Sequence, residues 1–204
     1  MNVKLLNFTP LEVADIAICK CYGNEPHSDN EKVKARINRV ANVSKHASTI
    51  EHLSYSFDID GISRACLQEL ARHRIASYTV KSSRYTLQEL KDEDKFTFSK
   101  DSIIRASRYV VFTKDNNINI AITFTLEHLR EALRLGITND IAKYCMPEAY
   151  KTSLVMTINA RSLQNFLELR SSKHALWEIQ YLAKAMYDAI PEEHKFLYES
   201  IYGN

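Results

Sequence analysis

Glycine and proline are scarce in this chain, with four of each among 204 residues. That scarcity excludes collagen-like repeats, flexible linkers and low-complexity tracts. No apolar run approaches the length of a membrane span. The opening MNVKLLNFTPLEVADIA lacks the basic segment, long apolar core and small-residue cleavage site of a secretory signal. Cysteine is limited to Cys19, Cys21, Cys66 and Cys145, and a lone C-x-C without a second ligand pair predicts no metal site. The expectation is a cytoplasmic protein with reduced cysteines and no membrane contact. Neither sign of charge dominates: 27 Lys and Arg against 25 Asp and Glu leave a net charge of +2. Bulk attraction to nucleic acid or an anionic membrane is therefore not expected, and any affinity for anions must be local.

What is present is the composition of a globular chain, 45% hydrophobic and 25% charged, long enough to bury a core without staples. With no repeat or linker, residues 1–204 read as a single domain. Pro10 before LEVADIAICKCY places a first helix with proline near its first turn. Asp29 caps a second helix running to about Val43. In HLSYSFDID, residues 52–60, Leu53, Tyr55, Phe57 and Ile59 alternate with polar residues, the period of a half-buried strand. Gly61 then turns the chain into a helix with Ile62, Cys66 and Leu70 on one face, and Arg72, His73 and Arg74 near its end.

Residues 75–98 read as short strands and loops, and 101–113 as either strand or helix. A helix covers about Ile118 to Leu135, closed by Gly136, and a short one Asn139 to Cys145. Thr152–Asn159 reads as a buried strand, followed by helices over Ala160–Arg170 and His174–Ile190 and a last segment from Pro191. Helices dominate and no regular βαβ alternation is visible, so the fold class is α+β, with a mixed or antiparallel sheet packed with helices.

Two segments concentrate unusual chemistry. The first is Arg72-His73-Arg74 with Ser77, Lys81, Ser82, Ser83, Arg84 and Tyr85. Guanidinium groups present planar forks of donors that match phosphate oxygens, and serine hydroxyls complete such a cradle. Apolar neighbours Ile75, Ala76, Tyr78 and Val80 argue for partial burial; the alternative is a solvated basic face. The second is INARSLQNFLELR, residues 158–170, where Arg161, Asn165 and Leu169 share a helical face. Such a face can hydrogen-bond a heterocycle and phosphate groups; the alternative is a helix cap at Asn159 and an asparagine satisfied by backbone.

Together these segments resemble the flavin-dependent thymidylate synthases. Arg72 to Ser82 reads R-H-R-x7-S, extended by Arg84-Tyr85. An upstream H-x-S/T-x-x-E-H pattern appears as His46, Ser48, Glu51 and His52, and N-A-R-S-L-x-N-F-L-x-L-R as Asn159 to Arg170, followed by His174 and Trp177-Glu178-Ile179. Three blocks in order, spread over about residues 40 to 190, are specific where a lone RHR would be weak.

The resemblance implies a homotetramer of α+β subunits, with sites shared between subunits, that binds FAD, dUMP, 5,10-methylenetetrahydrofolate and NADPH and methylates dUMP reductively to dTMP. By position it implies that Ser48, Arg72, His73, Arg74, Asn159, Arg161 and Asn165 meet FAD. His46 would lie by flavin and folate. For dUMP it implies the positions of Glu69, Arg72, Ser82, Ser83, Arg84 and Lys143, with Arg170 as the catalytic cation that also binds dUMP and stabilises charge developing on the uracil. The absence of a G-x-G-x-x-G loop adds the expectation that segments 72–74 and 159–165 reach the flavin from different chains.

The sequence departs from the family pattern at three places. Glu69 stands where glutamine is frequent, and would point away, contact a base N–H or pair with an arginine. Val80 replaces a polar residue before the signature serine. Lys143 replaces an arginine and loses its bidentate fork. A different class of thymidylate synthase uses a cysteine nucleophile. Here Cys66 falls on an apolar helix face and reads as core, and neither it nor Cys145 is expected to be a nucleophile. His128 and His194 read as surface or satisfied histidines, and Tyr181, Tyr187, Phe196, Tyr198 and Tyr202 as helix packing or subunit interface. Two readings compete: a nucleic-acid module built on Arg72–Arg84, against which the near-neutral net charge speaks, and a flavoprotein of similar fold that performs another reductive reaction or has lost methylation.

Overall fold

A computed structural model describes residues 1–203. In chain order the elements are strand β1 (Asn2–Phe8), helices α1 (Leu11–Tyr22) and α2 (Asn30–Ile37), strand β2 (Ser54–Ser63), helix α3 (Arg64–Leu70) and strand β3 (Ala76–Val80). Helices α4 (Ser83–Thr86), α5 (Lys100–Ala106), α6 (Asn116–Arg134) and α7 (Asn139–Ala142) follow. Strand β4 (Lys151–Asn159) and helices α8 (Ala160–Arg170), α9 (Trp177–Ala189) and α10 (Glu199–Tyr202) complete the chain. The α+β class expected from sequence is what is found.

The four strands form one sheet in the order β1-β2-β4-β3. The Ser56 and Thr157 hydroxyls meet at 2.9 Å, and the Ala160 N–H donates to the Leu53 carbonyl, so β2 and β4 run in opposite directions. Lys81 N–H donates to Ser153 O just beyond β3, and Thr9 N–H to Ser54 O at the start of β2; both fix antiparallel neighbours. The alternation in β2 sets its register. Tyr55, Phe57 and Ile59 are buried, and a slip of one residue would drive Asp58 and Asp60 into the core.

The chain folds as two compact units, each assembled from separated stretches. The first comprises 1–59, 69–79 and 155–204. In it α9 packs on β1, and α8 packs on α9 and on the 3-10 turn Ala47–His52. Its core includes Ile18, Ile37, Tyr55, Phe57, Phe166 and Leu182. The second comprises 60–68 and 80–154. It is built around α6, whose spacing of Ile122, Leu126, Leu129 and Leu133 supplies the buried stripe packed with Leu87, Leu90 and Phe96. Asp115 starts that helix by accepting from the N–H groups of Asn117 and Ile118, and Gly136 ends it at φ +84°.

Several local expectations need correction. β1 was not anticipated, because NVKLLNF shows no clean apolar alternation and its residues stay half-exposed. Gly61 does not start a helix: it lies within β2 at φ +75°, and α3 begins only at Arg64. Helix α3 ends at Leu70, so Arg72, His73 and Arg74 sit in the turn beyond it rather than on it. Pro10 occupies the N-cap of α1, one residue before its first turn. Residues 100–106 are helical, with Ser99 capping.

His194 is neither at the surface nor fully satisfied. It is buried, its Nδ1 lies 2.8 Å from the Tyr55 hydroxyl, and its Nε2 has no hydrogen-bond partner. Tyr198 is buried with it, whereas Tyr181 is exposed against Trp177.

Candidate active site

The site of the first unit is built on two neighbouring strands. β4 runs directly into α8, and the Asn159 side chain at the junction accepts from Ser162 N–H at 2.8 Å. A cap of this kind is worth about 1 kcal/mol, and it engages the Asn159 side-chain oxygen within the protein. Leu163, Phe166 and Leu167 bury one face of α8. The opposite face presents Arg161, Asn165 and Leu169. β3, the neighbour of β4, is entered through the turn that carries Arg72, His73 and Arg74. The Tyr78 hydroxyl ties that turn down, lying 3.1 Å from the Leu70 carbonyl and 2.7 Å from that of His73.

Between turn and helix lies a cavity of about 1130 Å3, larger than the roughly 300–1,000 Å3 of an ordinary small-molecule site. Arg72, Arg74, Arg161 and Arg170 line it with Asn165 and His174. Both predicted segments, 72–74 and 159–165, therefore border one cavity of the same chain. Adjacent strands β3 and β4 bring the two segments together within one chain.

Arg170, the last residue of α8, is held at three points. Its Nη1 donates to Glu69 Oε2 at 2.6 Å, its Nη2 to the Glu69 main-chain oxygen at 3.0 Å, and its Nε to His73 Nε2 at 3.0 Å. Only 15% of the Arg170 side chain is exposed, so the pair is shielded from water on one side. An Nε2 that accepts from a guanidinium must be unprotonated, which places the His73 proton on Nδ1. Burial pushes the His73 pKa down, Arg170 and Arg72 push it further, and only Glu69 opposes them. The His73 ring meets the edge of Phe166 at 4.9 Å between centroids. Of the three options for Glu69, pairing with an arginine is the one realised.

Arg161 pairs with Glu51 at 2.7 Å, both exposed at the cavity. Among the described residues Arg72 and Arg74 have no acidic partner, which leaves their charge available to an anion. The partial burial expected around them is found at Ala76 and Tyr78 but not at Ile75, which is 73% exposed, or at Val80, which is also exposed. His46 and Ser48 are exposed and do not line the cavity; His46 Nδ1 lies 3.5 Å from the Tyr22 hydroxyl.

The remaining predicted residues belong to the second unit. Ser82 caps α4, where its main-chain oxygen accepts from Thr86 Oγ1, and Ser83 opens the helix. Arg84 Nε lies 3.0 Å from Asp140 Oδ1, with 60% of its side chain exposed. Lys143 is half-buried in the 3-10 turn after α7. Arg84 and Asp140 also border a smaller cavity of about 420 Å3 with Gln88, Lys91 and Asn139.

Sequence reasoning missed Glu51 as a partner for Arg161, although it belongs to the upstream motif. It also missed Ser162, Ser172 and Ala175 on the cavity wall. Ser162 was findable, since it follows Arg161 next to a capping asparagine; Ser172 and Ala175 carry no signal of their own. Cys66 is buried and Cys145 exposed. Among the described residues no group of His, Cys, Asp or Glu could hold a metal ion, and no helix is long and apolar enough to cross a membrane.

An antiparallel α+β fold with four arginines, an exposed amide and a neutral histidine around one large open cavity defines a protein that binds phosphate-bearing, heterocyclic small molecules. A family model, thymidylate synthase complementing protein, matches residues 4–194. The chain is 56% identical to a flavin-dependent thymidylate synthase of Wolinella succinogenes over 97% of both chains, and 51% identical to one of Helicobacter pylori over 98% of both. It superposes with a TM-score of 0.95 on a crystal structure of thymidylate synthase X from Helicobacter pylori with FAD and dUMP, 49% identical over the full length of both chains. The chain belongs to the flavin-dependent thymidylate synthase family.

Proposed function

We propose that this chain is a flavin-dependent thymidylate synthase that converts dUMP to dTMP in dTMP biosynthesis, taking its one-carbon unit from 5,10-methylenetetrahydrofolate and its reducing equivalents from NADPH through FAD. The observation that carries the reading is the cationic cavity itself. Its wall joins the RHR turn to the face of α8, and full-length identity above 50% accompanies it. The donor set fits FAD: unpaired guanidinium groups at Arg72 and Arg74 for the diphosphate, and the exposed Asn165 amide for a ring edge. Arg161 would join them by exchanging Glu51 for a ligand anion. Bound FAD, once reduced, supplies the hydride.

The chain's own residues do the rest. Arg170 presents a fixed positive charge towards the uracil and stabilises the negative charge that develops when the ring attacks the carbon donor. Ser82, Ser83 and Arg84 offer hydroxyls and a guanidinium to the dUMP phosphate, and Lys143 adds a point charge. For this, Arg84 exchanges Asp140 for phosphate. Asn159, His46 and Ser48 are carried over as flavin contacts, His46 also towards folate. Glu69 is assigned to the dUMP site through Arg170.

The same reading makes residues 1–204 one synthase domain working as a cytoplasmic homotetramer with sites shared between subunits. The exposed Ile75 and Leu169 at the cavity support a covering partner copy. The test is formation of dTMP by the purified protein with FAD, NADPH, methylenetetrahydrofolate and dUMP. The expected result is dTMP that requires all four. Absence of dTMP from protein that has taken up FAD would contradict the assignment.

A further inference from the structure

Arg170 has five N–H donors, and three of them are engaged inside the protein by two residues four apart in sequence. Glu69 takes one donor on its carboxylate and one on its main-chain oxygen, and His73 takes Nε–H. One N–H on each terminal nitrogen is left, and Arg170 borders the cavity. A long arginine side chain has several soft torsions, and reaction geometry tolerates little error: a misplacement of about 1 Å can cost about 100-fold in rate. The three-point hold removes that freedom before any substrate arrives.

We propose that Glu69 and His73 are positioning residues that pre-set the Arg170 guanidinium, so that its remaining donors meet an acceptor oxygen of a planar ring. This rests on the reading of Arg170 as the uracil-facing cation. Glu69 also lowers the effective charge of Arg170, so its contribution is orientation rather than added electrostatic pull. His73 holds its part only while Nε2 is neutral. The charged groups facing its ring are Glu69 from α3, Arg72 from its own turn and Arg170 from α8, with the uncharged Phe166 on the remaining side. The Glu69 carboxylate favours protonation of His73 and the arginines oppose it. Removing that carboxylate charge must therefore make His73 harder to protonate.

The experiment compares E69Q, E69D and H73Q with the parent holoenzyme. E69Q keeps an oxygen acceptor at full reach without charge; E69D keeps the charge but is one methylene short. Positioning predicts that E69Q stays within about threefold of the parent kcat. E69D is expected to lose about tenfold or more, the loss falling on kcat rather than on KM for dUMP. The acid limb of the kcat–pH profile moves to lower pH in E69Q. It disappears in H73Q, whose side-chain oxygen can accept from Nε–H and does not titrate. The reverse order of E69Q and E69D, both variants within twofold of the parent, or an acid limb unmoved in E69Q and H73Q would overturn the proposal.

A second readout needs no turnover. The Arg170 Nε–H resonance, assigned by its loss in R170K, is expected to exchange slowly with water in the parent and in E69Q, and fast in E69D. Equal exchange in all three would overturn the proposal by itself. Parent holoenzyme that forms no dTMP would contradict the functional reading, while the exchange experiment still decides whether Arg170 is pre-set.

Discussion

Arg170 and Arg84 are both assigned to the same nucleotide, and the protein treats them in opposite ways. Arg170 is 15% exposed and held by a carboxylate, a carbonyl and an imidazole; Arg84 is 60% exposed and held by one exposed aspartate. A guanidinium with three fixed partners has lost its rotamer freedom in advance and can act on a reacting ring. One with a single solvated partner is a movable charge, whose ion pair is worth at most about 1 kcal/mol. On the proposed reading, the difference separates a cation that shapes the transition state from one that anchors a phosphate.

The comparison breaks most sharply at Arg170 itself. R170A is expected to lower dTMP formation by about 100- to 1,000-fold while FAD content stays at the parent level, checked by absorbance of the purified variant. R84A should instead raise KM for dUMP by about tenfold with kcat nearly unchanged, because an anchor binds ground state and transition state alike. A kcat loss in R84A as large as that of R170A would erase the distinction. D140A sharpens it from the other side. Freeing Arg84 from its competing acid should leave dUMP affinity unchanged or up to about threefold tighter by calorimetry, and never weaker.

A pH experiment separates site from scaffold. Burial holds the His194 pKa down at about 4, against 6.5 for an ordinary histidine. Between those values the unfolded chain binds the proton and the folded chain does not. The stability from this group is therefore complete above pH 6.5 and is lost as pH falls towards 4. The Tm of the protein should fall across that window, and H194Q should flatten the fall.

The smallest effect is expected at Cys66, buried in the core and not part of the cavity wall. C66S should keep kcat within about twofold while losing some stability, since a hydroxyl replaces a buried thiol. A folded C66S that binds flavin but makes no dTMP would return the thiol to the chemistry.

Legibility in the sequence followed how local each cause is. The bounds of α8 were readable because Asn159 is a strong cap and the apolar spacing persists to Arg170. The alternation of β2 and the Gly136 end of α6 were equally plain, whereas the start of α6, capped by Asp115, lies two residues before the apolar spacing begins. β1 was not readable, since a half-exposed strand needs little alternation and is recruited by its neighbour β2. The RHR turn was placed on a helix because Leu70 closes an apolar face that periodicity alone would extend.

In the site, Arg72, His73, Arg74, Arg161, Asn165 and Arg170 were all named from motif and chemistry, and the cavity gathers them. An arginine partner was among the options for Glu69, but which arginine, and the partner of Arg161, were not legible. Glu69 reaches Arg170 across 101 positions and Glu51 reaches Arg161 across 110, distances over which sequence spacing carries no geometry.

The measurement that tests the central claim most directly is the visible absorption spectrum of the purified protein, supplied with FAD and then titrated with dUMP. A flavin held by Arg72, Arg74, Arg161 and Asn165, beside a nucleotide on Arg170, predicts stoichiometric flavin bands that shift and saturate on dUMP addition. Protein that stays colourless, or flavin bands indifferent to dUMP, would contradict a single cavity that brings cofactor and nucleotide together.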